Sequence, residues 1–151
     1  MIIIGLHNAI YPTRFVHISD LDSLRAFHSE CSTAQNAPSP LESTFATPSP
    51  PIAQKLVAWF DLHDDRDFAL CLYARDNALE FALRTHSVAE FLSGAHFLPK
   101  YLLVDSTPKL YQTLADDYLL DPKVLYIITE ASQIEECALQ GVDGVVFADL
   151  L

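Results

Sequence analysis

The chain has 151 residues, half of them hydrophobic and 19% charged, and a formal net charge of −11. A single domain of this size buries roughly 68–70% of its unfolded surface, so disorder of the chain as a whole is excluded. The acidic balance excludes a nucleic-acid backbone or an anionic membrane as partner, since both need clustered Lys and Arg. It leaves room for a cationic partner, a bound metal or plain solubility.

The three cysteines, Cys31, Cys71 and Cys137, are odd in number and form no CxxC pair. That usage predicts a reducing, cytoplasmic setting. The opening MIIIGLHNAIYPTR lacks a basic n-region and its apolar run is short, so no secretory signal is expected. No apolar stretch approaches the ~20 residues of a membrane helix.

In chain order, RFVHIS (Arg14 to Ser19) reads as a strand. Asp20 then caps a helix with Leu21, Leu24 and Phe27 on one face. Residues 37–51, APSPLESTFATPSPP, hold five of the nine prolines. Proline lacks an N–H and fixes φ, which predicts an extended linker or surface loop. The expected organisation is a β–α extension over 1–36, the Pro-rich segment 37–51, and an α/β domain over 52–151.

Within that domain KLVAWFDL reads as a strand. Residues 67–84 admit two readings, a helix followed by a strand or an antiparallel hairpin turning at Arg75-Asp76-Asn77. The turn triplet and the lack of helix caps favour the hairpin. Ser87 and Glu90 form a capping box before Phe91 and Leu92, with Gly94 as the helix end. YLLVD (Tyr101 to Asp105) is a strand, followed by Thr107 as N-cap and Pro108 at the first helical position. VLYIIT (Val124 to Thr129) is the next strand. A capping box at Ser132 and Glu135 follows, and Gly141 stands where a left-handed C-cap belongs. GVVF (Gly144 to Phe147) closes the series. Continuous apolar strands alternating with capped helices predict a three-layer α/β fold. Its mostly parallel sheet would have about five strands and helices on both faces.

Ligands of parallel α/β sheets bind beyond the carboxyl ends of the strands. The candidates there are Asp61, His63, Asp64 and Asp65 after KLVAWF, Asp105 after YLLV, and Thr129 after VLYII. Asp61, Asp64, Asp65, Asp105 and Thr129 make a candidate acidic pocket. Asp61, His63 and Asp64 offer hard oxygens with one imidazole, the donor set of a divalent metal site such as Mg²⁺. An acidic loop has the same composition, and Asp105 equally suits a turn residue before a helix. The chain holds no GxGxxG, GxxxxGK[ST] or GxSxG, so dinucleotide, P-loop and hydrolase-elbow chemistry lack support.

From Pro99 to Leu151 the chain resembles the response-regulator receiver domain, which has a flavodoxin-like fold. PKYLLVDS sets Asp105 where a receiver has its phospho-accepting Asp. VLYIIT sets Thr129 at the switch position, and QGVDGVVFADLL is similar to the last receiver strand. FDLHDD (Phe60 to Asp65) loosely looks like the acidic pair that holds magnesium. The receiver's phosphate-neutralising Lys falls on Ala148, and no neighbouring Lys replaces it. The resemblance therefore implies a degenerate site: a non-catalytic receiver-like module, with a protein partner or homo-oligomer expected and no bound cofactor. The alternatives are a metal-dependent enzyme or phospho-acceptor built on Asp61, Asp64 and Asp105, and a self-associating structural module. GVDGVVFAD also looks like the closing strand of phosphate-binding (β/α)₈ barrels. Those need about 200 residues or more, so this chain would supply only part of one.

Overall fold

The apolar runs become strands because β-branched and aromatic side chains pack well on both faces of a pleated sheet. The computed structural model describes residues 1–7, 10–35 and 54–151. Its strands are β1 (Ile2–Ile4), β2 (Thr13–His17), β3 (Lys55–Asp61), β4 (Phe81–Arg84), β5 (Tyr101–Val104), β6 (Lys123–Ile128) and β7 (Gly144–Phe147). The helices are α1 (Leu21–Gln35), α2 (Ala69–Asp76), α3 (Val88–Ala95), α4 (Pro108–Asp117) and α5 (Gln133–Leu139), and a 3₁₀ turn (Ala148–Leu150) follows β7. No helix among the described residues is long and apolar enough to cross a membrane.

All seven strands are parallel, in the order β1-β7-β6-β5-β4-β3-β2. From β2 to β7, neighbours in the sheet are neighbours in sequence, and β1 lies beside β7. This is the succession around a (β/α) barrel, left unpaired between β1 and β2 among the described residues. β1 and β7 come close at Gly144, where a Cβ would lie 2.5 Å from the carbonyl oxygen of Ile2. The segment before residue 37 thus contributes two strands and a helix to the same sheet as the rest.

The expected layers need correction. Right-handed crossovers between sequential parallel neighbours carry every helix to the same face. Leu24 and Phe27 of α1, Leu70, Cys71 and Ala74 of α2, Phe91 of α3 and Tyr111 of α4 pack with Phe60, Phe81, Leu83, Leu102 and Val104. Cys137 of α5 continues that layer against Ile128 and Val145. The alternate strand residues, Ile4, Phe15, Val57, Trp59, Ala82, Tyr101, Leu103, Leu125 and Val146, form a second core that contains no residue of α1–α5. Helices on both faces would require the strand order to reverse partway, and this sheet has no such reversal.

The helix-free face is buried by the curl of the sheet itself. The rings of Phe15 on β2 and Tyr101 on β5 lie 6.1 Å apart, although three strand spacings in a flat sheet come to about 14 Å. Leu150, just beyond β7, lines a cavity of about 300 Å³ together with Thr13 and Arg14 at the start of β2. Opposite edges of the sheet therefore converge, and Tyr11, Leu150 and Leu151 pack against the inner core.

The hairpin expected over 67–84 is also corrected. Residues 69–76 are helical, and β4 runs parallel to β3 and β5. The helix lacks a local cap because its cap comes from farther back. The carboxylate of Asp65 accepts from the backbone N–H groups of Leu70 and Cys71, at 3.1 and 3.0 Å. The Pro-rich segment 37–51 lies outside the described residues.

Candidate functional site

Strand parity decides what reaches the carboxyl end of the curled sheet. On β3, Val57 and Trp59 face the helix-free core, so Asp61 points the same way at the strand's last position. On β4 the inward series is Ala82 then Arg84, and on β5 it is Tyr101, Leu103 and then Asp105 just past the end. Asp61, Arg84 and Asp105 thus line one mouth, and His86 joins them two residues beyond β4. His17 occupies the equivalent end of β2 and packs on Trp59 at 4.6 Å between ring centroids.

These side chains pair with one another. His86 Nε2 donates to Asp61 Oδ1 at 2.7 Å; a carboxylate only accepts, so the proton sits on Nε2. His86 Nδ1 is 3.6 Å from Asp105 Oδ2, beyond direct hydrogen-bond range,. Arg84 Nη2 donates to Asp105 Oδ2 at 3.2 Å, while Arg84 Nε lies 3.9 Å from Asp61 Oδ1 and has no partner. Asp61 is the more enclosed carboxylate, with 19% of its side chain exposed against 38% for Asp105. The first turn of α3 holds the backbone of His86: Glu90 Oε2 accepts the His86 main-chain N–H at 2.8 Å, and Ser87 Oγ accepts the Glu90 N–H at 3.2 Å. Glu90 Oε1 also faces His63 Nδ1 at 3.6 Å. Behind the mouth, burial pushes the Tyr111 hydroxyl's pKa up, and the charges of Asp105 and Glu90 add to it.

The candidate acidic pocket therefore divides. Asp61 and Asp105 converge on the same arginine and the same histidine. Asp64 does not join them: it lies in a separate surface depression with Ser19, Asp20 and Arg66. Asp65 is 6% exposed and serves as the cap of α2. Thr129 turns to α5, where Gln133 Oε1 accepts from the N–H groups of Thr129 and Glu130, at 2.9 and 3.0 Å. Asp61, His63 and Asp64 do not form a metal donor set, and no three His, Cys, Asp or Glu among the described residues are placed to hold an ion. The magnesium implied by the receiver resemblance does not fit here, because Arg84 and His86 lie against the two carboxylates that would bind it.

Sequence reasoning missed Arg84, His86 and Glu90 as one unit. It also left Asp105 without a cation, whereas Arg84 supplies one from the neighbouring strand. The omission follows from the hairpin reading. An antiparallel strand over 81–84 would have carried Arg84 to the opposite end of the sheet. Once β4 is parallel, its last inward position must stand between those of β3 and β5. Set against known proteins, the chain matches no family model, and the search among curated proteins finds no match.

Proposed function

We propose that the chain is a non-catalytic binding module that takes a cationic protein partner at the carboxyl end of its sheet; the receiver resemblance of residues 99–151 does not extend to the strand order, which lacks the reversal of a doubly wound sheet,. The reading rests on one observation: the two carboxylates that converge there are already held by Arg84 and His86. Metal or phosphoryl chemistry would first have to break those pairs. The loops around them carry exposed Asp20, Asp64, Asp67 and Glu130 against exposed Arg66 and, in the first turn of α4, exposed Lys109. A negative rim of this kind favours encounter with positive surfaces through long-range attraction. The reading takes the cytoplasm as its compartment, since Cys31, Cys71 and Cys137 are unpaired,.

Titration calorimetry with an oligo-arginine peptide and an oligo-glutamate peptide tests this. The arginine peptide should bind, more weakly as salt rises, and the Asp64→Asn, Asp67→Asn double variant should weaken it further. The glutamate peptide should give no heat. In parallel, millimolar Mg²⁺ should leave the melting temperature unchanged, because only a ligand that binds the folded state raises it. Equal affinity for both peptides rejects the module reading. A Mg²⁺-dependent rise that Asp105→Asn abolishes would put metal-dependent chemistry in its place.

A further inference from the structure

Three adjacent parallel strands start at the amino end of the sheet, and each brings a long charged side chain there. Lys55 opens β3, Glu80 stands one residue before β4, and Lys100 stands one residue before β5. Both lysines reach the same carboxylate. Lys55 Nζ lies 2.7 Å from Glu80 Oε1, and Lys100 Nζ lies 3.0 Å from Glu80 Oε2. No other carboxylate among the described residues comes within ion-pair distance of either amine. Lys123, whose backbone N–H donates to the Lys100 carbonyl at 3.1 Å, gives its own ammonium to Asp143 at 3.7 Å.

The cluster thus sets two ammonium groups against one carboxylate. Lys100 is the more enclosed of the two, with 28% of its side chain exposed against 50% for Lys55. Its Nζ stands 5.4 Å from the centre of the Tyr101 ring, which favours the cation but takes the place of water on that side,. Tyr101 carries no charge near neutrality, because burial and Glu80 push its hydroxyl's pKa up. Taking one proton from Lys100 leaves one ammonium and one carboxylate, a balanced pair. Burial and the Lys55 ammonium outweigh Glu80 and lower the Lys100 pKa. Lys55 is held the other way, its pKa raised by its bonds to Glu80 and Lys100.

A lysine pressed toward its free amine by burial and a neighbouring cation is a nucleophile at neutral pH. We propose that Lys100 is a covalent site for small neutral aldehydes. The nitrogen lone pair adds to the carbonyl carbon, and a proton passes from nitrogen to the carbonyl oxygen. The resulting carbinolamine loses its hydroxyl and the remaining N–H proton as water, leaving an imine. No further reactant is needed, and the uncharged imine leaves Lys55 and Glu80 as a matched pair. The part-buried amine admits a small reactant, and the chain's charge of −11 disfavours anionic carbonyl compounds,. The site lies at the opposite end of the sheet from the carboxyl-end mouth and does not depend on it.

Reductive labelling with acetaldehyde and cyanoborohydride near neutral pH, read by peptide mass mapping, tests the proposal. The lysines are Lys55, Lys100, Lys109 and Lys123, so the map is unambiguous. In the folded chain Lys100 should be labelled several times faster than exposed Lys109, and in urea at the same rate. Lys55→Met should slow the labelling of Lys100 and raise the pH at which its rate levels off, because the neighbouring charge is gone. Lys55→Arg should restore both. A native chain in which Lys100 reacts no faster than Lys109 overturns the proposal, as does a preference that survives in urea. So does a Lys55→Met variant, shown to be folded by its melting temperature, in which Lys100 reacts as it does in the native chain.

Discussion

Asp61 and Asp105 meet, while Asp64, Asp65 and Thr129 do not, because a carboxylate's use depends on which face of its strand or turn it leaves. Asp61 and Asp105 hold inward parity at the ends of β3 and β5. Asp65 lies four residues past the strand, where a short acidic side chain folds back onto the free N–H groups of the next helix. Composition made these aspartates look equivalent, and position separates them. Asp65→Ala should cost about 1–2 kcal/mol in urea unfolding, the range of a lost helix cap, without altering peptide binding at the mouth. A second carboxylate shows its partners in its titration. Glu80 lies 2.7 Å from Lys55 Nζ and 3.0 Å from Lys100 Nζ. Burial alone would raise its pKa, but the two ammonium groups outweigh that and hold it below the usual range. A carboxyl depressed in the folded state contributes stability that is fully present above its unfolded pKa of about 4.3. That contribution is lost as pH falls through the folded value. Glu80→Gln should therefore destabilise the chain near neutrality by about 0.5–1 kcal/mol, as for part-exposed ion pairs, and make no difference in acid below both values. An equal loss at both pH values would show that the effect is packing and not charge.

At the scale of elements, helices were legible where their caps are local. Asp20 accepts the Ser23 N–H at 2.7 Å ahead of α1, Ser87 caps α3, and Gly141 ends α5. They were misread where the same backbone geometry is built from other residues. The box expected at Ser132 and Glu135 is replaced by Gln133 reaching back to Thr129 and Glu130. Gly94 does not end α3. It lies buried inside the helix, where a Cβ would come within 3.3 Å of Leu62 and Leu83. The ends of α2 and α4 repeat the pattern at Gly141 without a glycine. The Leu79 and Leu120 N–H groups reach back to the Ala74 and Ala115 carbonyls at 2.9 Å, as Val142 reaches Cys137 at 3.2 Å. The pivots are Ala78, with φ 51°, and Leu119, with φ 52°. Without a glycine to mark it, the end of α2 looked like the turn of a hairpin, and that single error displaced Arg84. Ala78 is exposed, so Ala78→Gly should raise stability by about 0.5–1 kcal/mol, and Gly141→Ala should lower it by a similar amount. Thermal unfolding of the two variants should move in opposite directions; a loss in both would mean that Ala78 is not strained.

For the whole molecule, the sequence marked each strand after the Pro-rich segment but not how the strands close on one another. Alternation of strand and helix is common to open doubly wound sheets and to barrels. What separates them is strand order, and periodicity within one strand carries no information about its neighbours. The first strand, with only three residues, was too short to register, yet β1 is what takes the sheet past β7 toward β2. The curl makes a claim that a flat sheet would not. Phe15 belongs to an edge strand, has no helix over it, and is nevertheless only 7% exposed. If the curl buries it, Phe15→Ala opens a cavity in the inner core and should cost about 3–4 kcal/mol in urea unfolding. Trp59, the chain's single tryptophan, belongs to the same inner core and is 7% exposed, so its emission reports the change directly. The folded variant should emit to the red of native protein as water reaches the ring. Were the sheet open, Phe15 would already face solvent. The substitution would then cost less than about 1 kcal/mol, the usual effect at an exposed position, and Trp59 would not respond.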